Sequence, residues 1–490
     1  MAVKNQVQLI TYPDSLGGNL SALRELLSRH FSGIFPGGVH ILPPYPSSGD
    51  RGFSPLNYFE IDPRFGTWED LQKIGEEFDL ILDIMVNHVS RGSLYFQDFL
   101  RHGRASKYAD LFITLDKIWP EGIPDRKDVA KIFLRRPEHP FLDVRIEASG
   151  QIERIWATFG KKDWADQIDI DVNSSAAREF FAGILRHLSR QGVKILRLDA
   201  IAYVTKKAGT SCFFVEPEIY AFLDWIKQAA HSNGIELLPE VHAHHSIQSN
   251  LAEHGYWVYN FVLPLLILHT LTSQEGRALK EHLLSCPRRQ FTMLDCHDGI
   301  PVQPDLDGIL SVDEAQEIVR ICLERGANLN RIFSAGHMQR EDFDAHQINC
   351  TYYSAVDRDD DAYLTARAIQ FFSPGVPQVY FVGLLAGEND QDEVRRTGEG
   401  RAINRHNYST QEVVQELEKP AVRRLMDLIR FRNEYGAFSG DFEVGESGSR
   451  NLQLTWRKEY WKCTLHVDLG TSKSWIEYRD HAGKIKQYAP

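Results

Sequence analysis

Short apolar runs bounded by polar residues recur over the first 380 residues, with helical periodicity between them. Val7–Thr11, Val39–Leu42 and Leu80–Met85 read as the first three strands. Val193–Asp199, Ile235–Val241, Tyr256–Val262, Phe291–Asp298 and Gln378–Val382 read as the next five. The runs are nearly continuous rather than alternating, which is the pattern of a parallel sheet buried on both faces. Between the first two, Leu20, Leu23, Leu26 and Leu27 recur at spacings of three and four and predict a helix over Leu20–Phe31. An apolar helix is expected after the sixth run, through Leu271. From 438 the pattern changes. Phe442–Val444, Leu452–Arg457, Thr464–Val467 and Trp475–Tyr478 partly alternate and are separated by Gly, Ser, Asn and Asp, which predicts a small antiparallel β domain over 438–490.

Four of the eight runs deliver polar groups at their C-terminal ends: Asp83 with Asn87 and His88, Arg197 with Asp199, Glu240, and His297 with Asp298. In a (β/α)8 barrel that end builds the active site. The expected fold is therefore α/β, a (β/α)8 TIM barrel over 1–87, 174–298 and 357–437, followed by the C-terminal β domain. About 85 residues separate the third strand from the helix before the fourth, too many for a βα loop. We read 88–173 as one inserted subdomain and 299–356 as a second. Arg197 and Asp199 are two residues apart and share a strand face. A guanidinium beside a carboxylate favours the ionised form, and a positioned carboxylate can act as a covalent nucleophile. The alternative is an Arg–Asp pair that only fastens the sheet.

Taken in order, Asp83 with Asn87-His88, Arg197-Leu198-Asp199, Glu240 and His297-Asp298 resemble the four signature regions of the α-amylase family of glycoside hydrolases. The stretches Val7–Gly18, Gly38–Pro44, Asn349–Ala355 and Gly383–Asp390 resemble, more narrowly, the sucrose phosphorylase branch of that family. The resemblance implies a retaining enzyme with Asp199 as nucleophile, Glu240 as acid/base and Asp298 as the third carboxylate, which stabilises the oxocarbenium-like transition state. It further implies a glucosyl subsite made of Asp50, Phe53, His88, Phe159, Gln167, Arg197, His297 and Arg401. The phosphate and fructose side would be Arg135, Arg136, Tyr203, His242, Asp344, His346, Gln347 and Arg396. His244 and His245 read as ordinary surface or core histidines.

Composition narrows the function classes. A net charge of −12 argues against a nucleic-acid partner, so a bound anion requires locally placed Arg or His. The six cysteines show no C-x-x-C pair, which fits a reducing cytoplasm and no zinc site. We find no signal-peptide pattern at Met1-Ala-Val-Lys and no run of 18 apolar residues, and expect no membrane partner. The expectation is a monomer or homodimer with no metal and no organic cofactor, taking sugar phosphates as substrates and inorganic phosphate as co-substrate. Plain sucrose phosphorylases typically carry Pro at the position of Arg135 and Tyr at that of His346. The two substitutions resemble the group within the branch that acts on sucrose 6′-phosphate. Asp344 stands where the glucosylglycerol group carries Ala, which argues against that acceptor. A sucrose phosphorylase acting on neutral sucrose is the first alternative. A hydrolase or transglucosidase is the second, and a non-catalytic member of the fold the third.

Overall fold

The structure is a computed structural model that describes residues 3–160, 166–334, 338, 340 and 342–490. Parts of the two inserted stretches, Gly336 among them, lie outside the described residues. The chain divides into two compact units, one of Ile41–Val241 with Ile332–Met338, the other of Ala2–His40, His242–Arg331 and Gln339–Pro490.

The second unit holds β1 (Gln8–Thr11) and β2 (Gly38–Ile41, its last residue excepted), and the first holds β3 (Leu80–Met85), β4 (Val193–Asp199) and β5 (Glu236–Pro239). The second unit continues with β6 (Val258–Asn260), β7 (Gln290–Thr292) and β8 (Val376–Tyr380). In the first unit β4 pairs in parallel with β3 and with β5. In the second, β6 pairs in parallel with β7, β7 with β8, and β8 with β1. Eight parallel strands with helices between them are the parts of a (β/α)8 barrel, and this is the fold. Every residue of β1, β2 and β3 is buried, as a sheet covered on both faces requires. Polar side chains in this core are paired: the Gln378 amide donates to Gln8 Oε1 at 2.8 Å, and Gln370 donates to the carbonyls of Thr292 and Gln378.

The helix Leu20–His30 forms as its spacing predicts, capped by Asn19, with Leu20, Leu23, Leu26 and Leu27 buried. Strand ends depart from expectation in several places, most clearly in β7 and β8; β6 keeps only Val258–Asn260 of the expected Tyr256–Val262. β8 starts two residues earlier and ends at Tyr380, because Pro377 is accommodated within the strand opposite Thr292. Phe381–Leu384 then turn into a helix instead of extending it. β7 stops at Thr292, six residues before Asp298. The chain leaves the ladder where Asp295 turns to a fully buried Arg367, at 2.6 Å.

Within the first unit the stretch after β3 forms two antiparallel pairs, His88–Ser90 with Gln167–Asp169 and Phe141–Arg145 with Ile152–Trp156. Ile113, Leu115, Trp119, Ile132, Trp156 and Cys212 give it an apolar cluster. Within the second unit Ile300–Pro301 and Asn328–Arg331 flank Ala345–Asn349 in a three-stranded antiparallel sheet. The C-terminal region is a five-stranded antiparallel meander of β9 (Asp441–Val444), β10 (Asn451–Lys458), β11 (Trp461–Asp468), β12 (Lys473–Arg479) and β13 (Ile485–Tyr488). The last strand has no sequence signature because three of its four residues are exposed at the sheet edge. Among the described residues no helix is long and apolar enough to cross a membrane.

Candidate active site

In the first unit the C-terminal ends of β3, β4 and β5 converge on one guanidinium. Arg197, on β4, reaches Asp83 Oδ1 at 2.6 Å, Asp199 Oδ1 at 3.0 Å and Glu240 Oε1 at 2.8 Å. All four side chains are nearly buried, Arg197 and Asp83 most deeply. The period of two along β4 puts Arg197 and Asp199 on one face, as expected. Glu240 stands one residue past β5, and its second oxygen accepts from the Ala200 amide at 3.1 Å. Ala200 takes a left-handed conformation at φ 54°, rare for a residue with a Cβ, and so turns its N–H onto that carboxylate. Two carboxylates are thus fixed by one planar cation, whose fork matches them geometrically.

Around this cluster the aromatic side chains form a wall. The Arg197 guanidinium lies 5.7 Å from the Phe53 ring centre. The Phe53 carbonyl accepts from Gln167 at 3.2 Å and lies 2.9 Å from His88 Nε2, which makes Nε2–H the donor. Burial pushes the His88 imidazole down despite that carbonyl, so the ring is neutral at pH 7. His88 packs edge-on against Phe159, and Phe159 against Tyr203. Phe133 and Phe213 hold the rest of the Tyr203 ring. The Arg135 guanidinium sits 6.0 Å from that ring. Arg136 is buried and donates to the His139 carbonyl at 2.8 Å. Burial lowers it, against the pull of Glu138 and Asp169. Asp50 is exposed, at φ 49°.

Behind this wall lies a buried ion pair that sequence reasoning missed. Lys206 Nζ is 2.8 Å from Asp169 Oδ2 and 3.0 Å from Asn87 Oδ1, and it also donates to the Tyr203 carbonyl. The Thr158 amide and hydroxyl supply Asp169 with further donors, at 2.9 and 2.5 Å. Only the conjunction of Asn87, Asp169 and Lys206 marks this site, and no local pattern announces it.

In the second unit Asp298 is the centre. Arg401 Nη1 lies 2.8 Å from its Oδ1, with His297 Nε2 and an Arg405 nitrogen each at 3.9 Å. Burial would raise this carboxyl, but Arg401, His297, His242 and Arg405 outweigh it and hold the group well below the usual carboxylate range. Asn404 and Arg405 fasten the loop by donating to the carbonyls of Asp298 and His297. Arg405 was not among the residues expected at the site, since no local pattern marks it. Gln347 is buried, with Oε1 3.4 Å from Arg401. His346 is buried as well, its Nδ1 2.7 Å from the Gln303 carbonyl, so that nitrogen carries the hydrogen. The His242 ring stands 6.2 Å from that of His346.

Two expected ligands are engaged elsewhere. Asp344 pairs with Arg331 at 2.5 Å. Arg396 lies on the helix Gln391–Thr397 with its side chain 72% exposed, and pairs with Glu393 one turn away.

The first unit thus gathers Asp199, Glu240, Arg197, Phe53, His88, Phe159, Gln167, Tyr203 and Arg135 into one contact network. The second gathers Asp298, His297, Arg401, His242, His346 and Gln347. Comparison with known proteins places the chain in a family. The alpha amylase catalytic domain matches residues 36–259. A sucrose 6(F)-phosphate phosphorylase of Thermoanaerobacterium thermosaccharolyticum is 57% identical over 488 residues and the whole of both chains. A sucrose phosphorylase of Streptococcus mutans is 44% identical over 91% of this chain and 90% of its own. A crystal structure of sucrose 6F-phosphate phosphorylase from Thermoanaerobacter thermosaccharolyticum superposes with a TM-score of 0.98 at 56% identity, covering 100% of this chain and 99% of that one. The chain therefore belongs to the sucrose phosphorylase branch of the α-amylase family of enzymes.

Proposed function

We propose that this enzyme is a retaining glycoside phosphorylase that converts sucrose 6′-phosphate and inorganic phosphate into α-glucose 1-phosphate and fructose 6-phosphate, reversibly. The observation that carries the reading is the grip of Arg197 on both Asp199 and Glu240. In the first step an Asp199 oxygen attacks the glucosyl C1 while the glycosidic C–O bond breaks. Glu240 passes its proton to the departing fructosyl oxygen. In the second step a phosphate oxygen attacks C1 and gives its proton to the Glu240 carboxylate, and the bond to Asp199 breaks. Two inversions give net retention. Asp298, ionised under its cations, would stabilise the positive charge that develops on the sugar ring.

His88, Gln167, Phe53, Phe159 and Asp50 would hold the glucosyl ring, with His297 and Arg401. Arg135, Arg136, Tyr203, His242, His346, Gln347, Asp344 and Arg396 would serve the phosphate and fructose 6-phosphate, the last two after leaving their present ion pairs. The phosphorylated acceptor is supported by two departures in the same cationic direction, Arg135 and His346, and by the relative named for that substrate. An assay of glucose 1-phosphate release from sucrose and from sucrose 6′-phosphate, each with phosphate, tests the reading. A kcat/KM at least tenfold higher for the phosphorylated sugar is expected. Equal or reversed preference moves the assignment to a sucrose phosphorylase, and release of free glucose alone moves it to a hydrolase. We place the enzyme in the cytoplasm, where sugar phosphates and inorganic phosphate are at hand and its six cysteines stay reduced.

A further inference from the structure

The turn at 302–308 carries a carboxyl to which neither the sequence reading nor the proposed reaction gives a role. Asp305 is 0% exposed, and its Oδ1 lies 3.7 Å from Nδ1 of His242. A buried carboxyl is costly unless its charge is compensated. Burial pushes Asp305 up, while His242 and Gln248, on the helix His245–Glu253, pull it back. The imidazole is also held flat, stacked on Phe261 with centroids 3.9 Å apart and planes at 23°. With the ring so clamped, Nδ1 stays within ion-pair reach of the Asp305 carboxyl. His242 is in turn one of the groups that hold the Asp298 carboxyl down.

We infer that Asp305 is a positioning residue: its carboxylate pairs with the His242 imidazole on the Nδ1 side, holds the ring in place and favours the imidazolium. A carboxylate behind an imidazole sets its tautomer and raises its basicity. The inference rests on the reading of His242 and Asp298 as parts of the sugar-phosphate site, where an imidazolium supplies local positive charge in a chain of net charge −12. The titratable groups around the pair within this unit are Asp307, His346 and Asp298, and Glu240 stands two residues upstream of His242 in the chain. Burial and Asp305 push Asp307 to about 6.

Asp305→Asn keeps the shape and removes the charge. Carbethoxylation of His242 by diethyl pyrocarbonate, followed by peptide mass mapping over a pH series, reads the ring's ionisation without turnover, since only neutral imidazole reacts. The midpoint is expected to fall by about one to three units in the variant, and Asp305→Glu should hold it near wild type. In phosphorolysis, Asp305→Asn should lower kcat/KM most at high pH, and should add nothing in a His242→Gln background. An unmoved midpoint in a folded variant, or losses that multiply in the double variant at every pH, overturns the inference. Asp305→Ser serves the same readout should the Asn variant not fold. A wild type that shows no phosphorolysis while the midpoint still moves would refute the functional reading and leave the role of Asp305 standing.

Discussion

Replacing Lys206 by Met tests how much of the first unit depends on one buried charge. Met keeps the length and the packing against the Trp156 ring, whose centre lies 5.5 Å from the ammonium. What is lost is the charge 2.8 Å from Asp169. Two unit charges at that distance attract by about 6 kcal/mol at an effective dielectric of about 20. Part of this offsets desolvation of the pair, and removing one partner of a buried pair costs about 3–5 kcal/mol net. The orphaned carboxylate would keep only its Thr158 donors. At roughly 2–4 °C per kcal/mol, the thermal midpoint of the unfolding step that includes this unit should fall by about 6–20 °C. Calorimetry on Lys206→Met, Asp169→Asn and the double variant checks this. The double variant, neutral on both sides, should lose less than Lys206→Met alone, because no uncompensated charge remains. A single variant within one or two degrees of wild type, or a double variant worse than the sum of the singles, refutes the reasoning.

Glu240→Gln should lower turnover of sucrose 6′-phosphate by about 10²–10⁴-fold, the range of general-acid effects, while α-glucosyl fluoride, whose leaving group needs little protonation, keeps most of its rate of glucosyl-enzyme formation. Equal losses in stopped-flow measurements on the two donors would exclude the acid role. Arg135→Ala and His346→Tyr should each reduce kcat/KM for sucrose 6′-phosphate by about 10- to 150-fold, one charge-assisted contact apiece, and leave sucrose nearly unchanged. Steady-state kinetics on both sugars separates this from a general loss. Burial pushes His282, which pairs with Asn260, down to about 4. Between pH 6.5 and about 4 the unfolded chain therefore binds a proton that the folded one does not, so stability is lost as pH falls through that window. Urea titrations over that range should show the slope in wild type and less of it in His282→Gln.

Much of this architecture was legible because parallel strands buried on both faces leave continuous apolar runs. The runs at β1, β3 and β4 could hardly form anything else. What failed was the placing of strand ends. The apolar character of Phe291–Leu294 continues past the ladder, and only the Asp295–Arg367 pair, 72 residues apart in sequence, takes the chain out of it. Arg197 and Asp199 could be assigned to one face because the period of a strand is local. Asp83 stood in the motif, yet its contact with Arg197 spans 114 residues, and nothing near either residue specifies it. Lys206, Asp169 and Asp305 were invisible for the same reason. Each is an ordinary charged residue in a loop or at the end of a short strand, and its meaning lies in what the fold buries it against. Arg396 stands differently: its charge suited an anion site, and in the structure it lies on a helix and pairs with a carboxylate one turn away.

The sharing of Arg197 also bears on how, in the proposed reaction, Asp199 could act as nucleophile while Glu240 acts as acid and then as base. Asp83, Asp199 and Glu240 all contact a single guanidinium. With all three ionised the cluster would carry three negative charges against one positive, in nearly buried surroundings where each excess charge is expensive. The least costly state of the unreacted cluster keeps one proton. Asp83 sits closest to Arg197, at 2.6 Å, and that contact favours its ionised form against the cost of its deeper burial. Asp199 must be ionised to attack, which leaves the proton on Glu240, where the proposed first step needs it. In the proposed first step the charge on Asp199 disappears as the glucosyl ester forms. As it does so Glu240 can release the proton to the departing sugar and remain a carboxylate beside Arg197, ready to take a proton from phosphate. Breaking the ester returns the charge to Asp199 and the proton to Glu240. On this account the exchange of roles follows from charge balance around one arginine and requires no movement of either carboxylate.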